Sequence, residues 1–165
     1  MSRYRPPGEK SSPYITPEGH KRLTEELHYL WKIRRPAVVT AITTAAAEGD
    51  RSENAEYIYR KKELREIDRR AGYLSRRVDE LNIVDRVPDN PDKIFFGAWV
   101  TVVREDGGEQ RYRIVGPDEI DAKAGHISVD SPIARALLGK SIDDAVNVQL
   151  PQGVTEVEIT AITYE

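Results

Sequence analysis

Tyr57, Leu64, Ala71 and Val78 recur every seven positions, and Ile67, Leu74 and Leu81 fill the alternate heptad position. A spacing sustained over that length is the seam of a coiled coil, and it commits the stretch from Asn54 onward to one long helix. Upstream, Thr16 followed by Pro17 supplies an N-cap and a proline at the first helical position. Leu23, Leu27 and Leu30, then Val38, Ile42 and Ala45, follow at spacings of three and four. The phase slips by one residue between these sets and Pro36 lies in the slip, which predicts a kink or a local loss of hydrogen bonding rather than a helix end. This first helix is expected to stop near Glu48 and Gly49, with the glycine in the left-handed C-cap conformation.

Two periodic helices separated by a short connection fold back as an antiparallel hairpin. Each arm of about 30 residues would be ~45 Å long at 1.5 Å per residue, so EGDRSENAEY (residues 48 to 57) becomes the tip of a thin projection. Arg60 occupies a seam position beside the tip and Gly72 interrupts the second helix, and both are expected to weaken packing locally.

Asp50 and Glu53 stand three apart, a spacing that suits two jobs. In a capping box, Asp50 would accept an amide three residues on while Glu53 reached back. As an incomplete magnesium site, the same pair would bind an ion poorly alone, because magnesium keeps several waters and needs further acids or phosphates. A partner could supply those ligands, and two-metal phosphoryl chemistry is the setting in which a donated pair of carboxylates would matter. Lys62, Arg65, Arg69 and Arg76, at steps of three, four and seven, line the outer face of the second helix. Glu63, Glu66 and Asp68 nearby favour a solvated exterior; phosphate contact is the functional alternative, and it would make binding fall steeply with salt.

Bulk properties narrow the classes. There are no cysteines, which excludes disulfides, thiolate chemistry and Cys-ligated zinc. His20, His28 and His126 show no metal-ligand spacing. No apolar run approaches the roughly 20 residues needed to span a membrane, and the N-terminus lacks the hydrophobic centre of a secretory signal, so a cytoplasmic location with no membrane partner is expected. Residues 1 to 90 hold 18 Lys and Arg against 15 Asp and Glu, while residues 91 to 165 hold 7 against 13, so the two halves face different partners. No glycine-rich phosphate loop, catalytic serine motif or internal repeat is present.

The second half changes period. VPDNPDK (residues 87 to 93) is a linker, after which FFGAWVTVVRE, EQRYRIVG and HISVD alternate as strands, with DGG (residues 106 to 108) as a hairpin turn. Ser131 and Pro132 start a short helix, SPIARALLGK, and VNVQL and TEVEITAITYE give two more strands. The expected fold is thus a coiled-coil hairpin followed by an α+β domain with an antiparallel sheet covering one helix.

GDRSENAEY, YLWKIRRP, KKELREIDRR, FFGAWV, RYRIVGPDEID and DSPIARALLGK, in that spacing, resemble the bacterial Gre transcript cleavage factors over about residues 14 to 165. The extension MSRYRPPGEKSSP over 1–13 departs from the family's pattern and reads as a disordered tail, while the rest of the chain divides into a coiled coil over 14–86 with its acidic tip at 48–57, a linker over 87–93 and, as the resemblance implies, an FKBP-like domain over 94–165. The resemblance implies a partner, bacterial RNA polymerase, met at the secondary-channel rim by the C-terminal domain while the coiled coil enters the channel. Asp50 and Glu53 would help hold a second Mg2+ shared with the polymerase's own aspartates, with Ser52, Asn54, Glu56 and Tyr57 in the same tip motif. The 3′ end of backtracked nascent RNA would be cut by the polymerase, the factor being no enzyme by itself. Lys62, Arg65, Arg69 and Arg76 would be the RNA-facing basic patch. Two other functions compete: plugging of the channel without cleavage, and prolyl isomerisation in a pocket lined by Phe95, Phe96 or Trp99. A fold alone is a poor warrant for the second of these.

Overall fold

The computed structural model describes residues 10–49 and 54–165, which form two compact units, His20–Leu81 and the residues up to Gly19 together with Asn82–Glu165. The helical unit opens within α1 (Pro17–Tyr29), runs through a π-helical turn at Leu30–Arg34 and continues as α2 (Arg35–Ala47). The π turn explains the phase slip. A π segment inserts one residue into the helical register. The Arg35 amide reaches back five residues to the Leu30 carbonyl, so the wider ladder is in place just where Pro36 has no donor to offer. The helix therefore continues past Pro36, as its flanking periodicity requires.

The return helix α3 (Ala55–Glu80) runs antiparallel to this arm. Asn54 meets Ala45, Glu63 meets Arg34 and Arg70 meets Glu26, rising along one arm as they fall along the other. Val38 and Ala45 of α2 and Ile67, Ala71 and Leu74 of α3 are buried. The heptad reading differs at two places: Glu63 and Arg77 are buried, while their neighbours Leu64 and Val78 are only half-buried. Ion pairing lets these two charged heads occupy the seam, Glu63 with Arg34 and Arg60, and Arg77 with Glu80 at 4.0 Å. At the tip, Glu48 ends α2 and Gly49 follows at φ 154°, a positive angle but not the left-handed helical cap expected for it.

The second unit begins earlier in the chain than the sequence suggested. β1 (Tyr14–Ile15) pairs in parallel with β2 (Asn82–Ile83), so the segments flanking the hairpin belong to this unit and not to a hairpin over 14–86. The extension expected to be disordered over 1–13 is tied down at its end: Ser12 donates its amide to Asp130 at 2.9 Å and the Pro13 carbonyl accepts from Asn82 at 2.7 Å.

A five-stranded sheet in the order β5-β4-β3-β7-β6 follows, built from β3 (Trp99–Arg104), β4 (Glu109–Val115), β5 (His126–Ser128), β6 (Ala145–Leu150) and β7 (Gly153–Thr163). The pairs are antiparallel as expected except at one edge, where β5 lies parallel to β4. Gly116 and the 3-10 turn at Pro117–Glu119 redirect the chain after β4, which makes a parallel return possible. The helix α4 (Pro132–Leu137), capped by Ser131 accepting the Ala134 amide at 3.2 Å, packs beside β6 over Val100, Val102, Ile114, Val148 and Ile159.

Glu119 was not singled out in the sequence, yet it is 5% exposed and saturated with donors. It accepts the amides of Thr16 at 3.0 Å and Gly116 at 2.8 Å, together with the Thr16 hydroxyl. The same hydroxyl oxygen accepts the Gly19 amide at 3.1 Å, which makes Thr16 the predicted N-cap.

Candidate functional site

Asp50, Ser52 and Glu53 lie outside the described residues; their neighbours on both sides are placed. Asn54 is the N-cap of α3, its side-chain oxygen accepting the Tyr57 amide at 3.0 Å. The capping-box reading of Asp50 and Glu53 is thereby corrected. The cap is one residue after Glu53 and the third helical position is Tyr57, which has no carboxylate to reach back. The cap of α3 is supplied by Asn54.

Asn54 also donates its Nδ2 to the Ala45 carbonyl at 2.7 Å, stapling the start of α3 to the last turn of α2. One side chain thus links the last turn of α2 to the first turn of α3. Of the remaining tip residues, Glu56 accepts from Arg60 Nε at 2.8 Å, and the Lys61 ammonium stands 5.3 Å from the centre of the half-buried Tyr57 ring. These contacts make Glu56 and Tyr57 supports for the first turn of α3.

Arg60 bridges two acids. It donates to Glu56 and, at 2.9 Å, to Glu63, and Glu56 followed by Glu63 raise its pKa above the ordinary guanidinium value. Glu63 also accepts from Arg34 of the opposite arm. The sequence flagged Arg60 as a polar seam residue and missed its partners. The signal was there: Glu56 and Glu63 lie four before and three after it, both neighbouring positions on a helix.

Lys62, Arg65, Arg69 and Arg76 are exposed and share one side of α3. Among the described residues they take no part in the ion pairs of the hairpin, which use Lys21, Arg34, Arg35, Arg60, Arg70 and Arg77. Of the three acids that argued for a neutralised exterior, Glu63 and Asp68 point to the other arm, where they engage Arg34 and Arg35, while Glu66 stays exposed four residues after Lys62 and three before Arg69. The strip is therefore a predominantly positive surface, with Glu66 at its margin and Tyr73 exposed beside it.

Among the described residues no three His, Cys, Asp or Glu side chains are grouped closely enough to hold a metal ion. The three aromatics offered for an isomerase pocket have separate surroundings. Trp99 is covered by Arg111 at 4.1 Å and His126 at 5.6 Å on the sheet face away from α4, Phe96 leans on Tyr14, and Phe95 is exposed. The apolar cavity under α4 is about 10 Å³ and is lined by Val102, Tyr112, Ile133, Leu137, Val148 and Val157. That is room for a single water.

Two family descriptions cover the chain almost end to end: "Transcription elongation factor, N-terminal" matches residues 13–83 and "Transcription elongation factor, GreA/GreB, C-term" matches residues 88–164. Transcription elongation factor GreB of Xanthomonas axonopodis pv. citri is 57% identical over 99% of this chain and 98% of that protein. The GreB of Pseudomonas aeruginosa is 56% identical over 96% and 97%. Solved structures are more distant: GreA factor homolog 1 of Thermus thermophilus covers 91% of this chain and 97% of its own at 22% identity and a TM-score of 0.42. A GreA/GreB factor from Nitrosomonas europaea covers 93% and 100% at 20% identity, with the same TM-score. No helix among the described residues is long and apolar enough to cross a membrane. By both halves of its sequence, the chain belongs to the GreA/GreB family of transcription elongation factors.

Proposed function

We propose that this chain is an accessory factor of bacterial RNA polymerase, a cofactor of cleavage and not a catalyst on its own. Its hairpin enters the secondary channel while the C-terminal unit meets the channel rim, and its tip promotes the polymerase's own cleavage of backtracked nascent RNA. The observation that carries the reading is the basic strip of Lys62, Arg65, Arg69 and Arg76, which stands outside the hairpin's ion pairs and leads along α3 toward the end of the hairpin where the sequence places Asp50 and Glu53. The strip attracts the phosphates of an extruded RNA 3′ segment. The Asn54–Ala45 bond joins the two arms that flank Asp50 and Glu53 in the chain.

Carboxylate oxygens are the ligands that Mg2+ prefers, and two of them are too few for a site of their own, so Asp50 and Glu53 would complete one whose other ligands belong to polymerase. When bound there, the ion supplies charge neutralisation and an activated water for phosphodiester hydrolysis. The test is cleavage of RNA in stalled, backtracked complexes with the wild type, Asp50→Asn and Glu53→Gln. Both variants are expected to bind polymerase and to lose cleavage by about 100-fold or more, the scale of removing one group that stabilises transition-state charge. Binding together with undiminished cleavage would remove the metal role from these acids.

A further inference from the structure

We infer that Glu63 is a positioning residue: its buried carboxylate, shared by Arg34 of one arm and Arg60 of the other, fixes the register of the hairpin and with it the reach of the tip. The need for such a device comes from α2. Its sequence, RPAVVTAITTAAA, buries only Val38 and Ala45. Small side chains interlock shallowly, so the apolar pattern alone distinguishes poorly between one register and the next. A slip of one helical turn would move the tip by about 5.4 Å, several times the roughly 2 Å length of a Mg–oxygen bond.

Glu63 supplies the discrimination. It is 8% exposed and carries Arg34 on one oxygen and Arg60 on the other, while Glu56 holds Arg60 from behind. Any slip would take Glu63 away from Arg34 and leave a buried carboxylate short of a cation, which is far worse than losing an exposed pair. The other cross-arm pairs, Arg35 with Asp68 and Arg70 with Glu26, are each more than a third exposed and contribute little to that choice. A single buried polar group that sets register at some expense of stability is an established use of such residues in coiled coils.

The consequence for cleavage rests on the function proposed above; the register does not. Because the chain has no cysteine, Thr40→Cys and Lys61→Cys, exposed on opposite arms, can carry a pair of spin labels for dipolar distance measurement. The parent should give one narrow distance, and Glu63→Gln and Glu63→Leu a broadened or displaced one. Cleavage by these two should fall about tenfold or more, with competition for polymerase binding unchanged, because misplacement by even 1 Å is costly to catalysis. Removing one member of a buried ion-pair network destabilises, so the thermal midpoint of Glu63→Leu should fall, and the distance is read well below that midpoint. Reversing all three charges, Arg34→Glu and Arg60→Glu with Glu63→Arg, gives the buried guanidinium two carboxylates in place of the two cations and should restore both the narrow distance and cleavage. An unchanged distance in both single variants, or a reversal that restores neither readout, overturns the inference. The distance needs no polymerase, so a parent inactive in cleavage removes the functional reading alone.

Discussion

Asn54 donates its amide to the Ala45 carbonyl at 2.7 Å while its own oxygen caps the helix that follows, so one side chain closes the hairpin and starts the return arm. The two bonds can be separated. Asn54→Asp keeps the acceptor for the Tyr57 amide and loses the donor to Ala45; Asn54→Ala loses both. Each bond is worth about 1 kcal/mol, so urea melts should place Asp about 1 and Ala about 2 kcal/mol below the parent. If the staple positions the acids, Asn54→Asp also loses cleavage although its helix is capped. A variant that melts and cleaves like the parent would show the bond to Ala45 to be idle.

Arg65 and Arg69 stand exposed outside the ion pairs of the hairpin, which makes them separable from stability. Replacing both with Ala should leave the thermal midpoint nearly unchanged, as expected of surface positions away from special interactions. Cleavage of complexes with long extruded RNA should weaken. The dependence of log affinity on log salt should flatten by about 1.4, or 0.7 for each single-strand phosphate that the protein no longer neutralises. An unchanged slope would reduce the strip to a solvated exterior.

The elements of this fold were legible because periodicity is a local property. Heptads at Ile67, Ala71 and Leu74, the cap at Thr16 and the cap at Ser131 each depend on residues within a turn of one another. Even the one-residue slip before Pro36 was visible, though its form as a π turn was not. What the sequence withheld depends on partners far along the chain: Ser12 with Asp130, β1 with β2, and β5 parallel to β4. The site divided the same way. The basic strip is a spacing and could be read, whereas the burial of Glu63 requires Arg34, 29 residues away on the other arm. The capping assignment failed by position: Asp50 to Glu53 has the spacing of a box, but Asn54, four residues after Asp50, is where the helix begins.

Glu119 accepts three hydrogen bonds from Thr16 and Gly116 with its side chain buried. Glu119→Ala would leave two amides and a hydroxyl unpaired, which should cost about 3 kcal/mol or more in chemical denaturation. Glu119→Gln keeps one acceptor but turns an NH2 toward donors, and should fall between. Gly19→Ala is the companion. A methyl group there would overlap the Glu119 carboxylate, which its three bonds prevent from swinging aside, so the substitution should destabilise although alanine is the better helix former. A neutral Gly19→Ala would mean that the carboxylate is free to move.

Gly72 offers the opposite case within α3. A Cβ there would meet only Arg76 Nη1, at 3.7 Å, an ordinary contact with the movable end of a long side chain. Its backbone does not need a positive φ. Nothing then offsets the entropy that glycine loses on entering a helix, and Gly72→Ala should raise stability by about 0.5–1 kcal/mol. For a chain of this size the thermal midpoint of the helical unit should rise by roughly 2–4 °C. Should Gly72→Ala also slow cleavage while stabilising, the middle of α3 must bend in the working complex, and glycine is retained there for that motion; stabilisation with cleavage unchanged leaves the arm acting as a rigid rod.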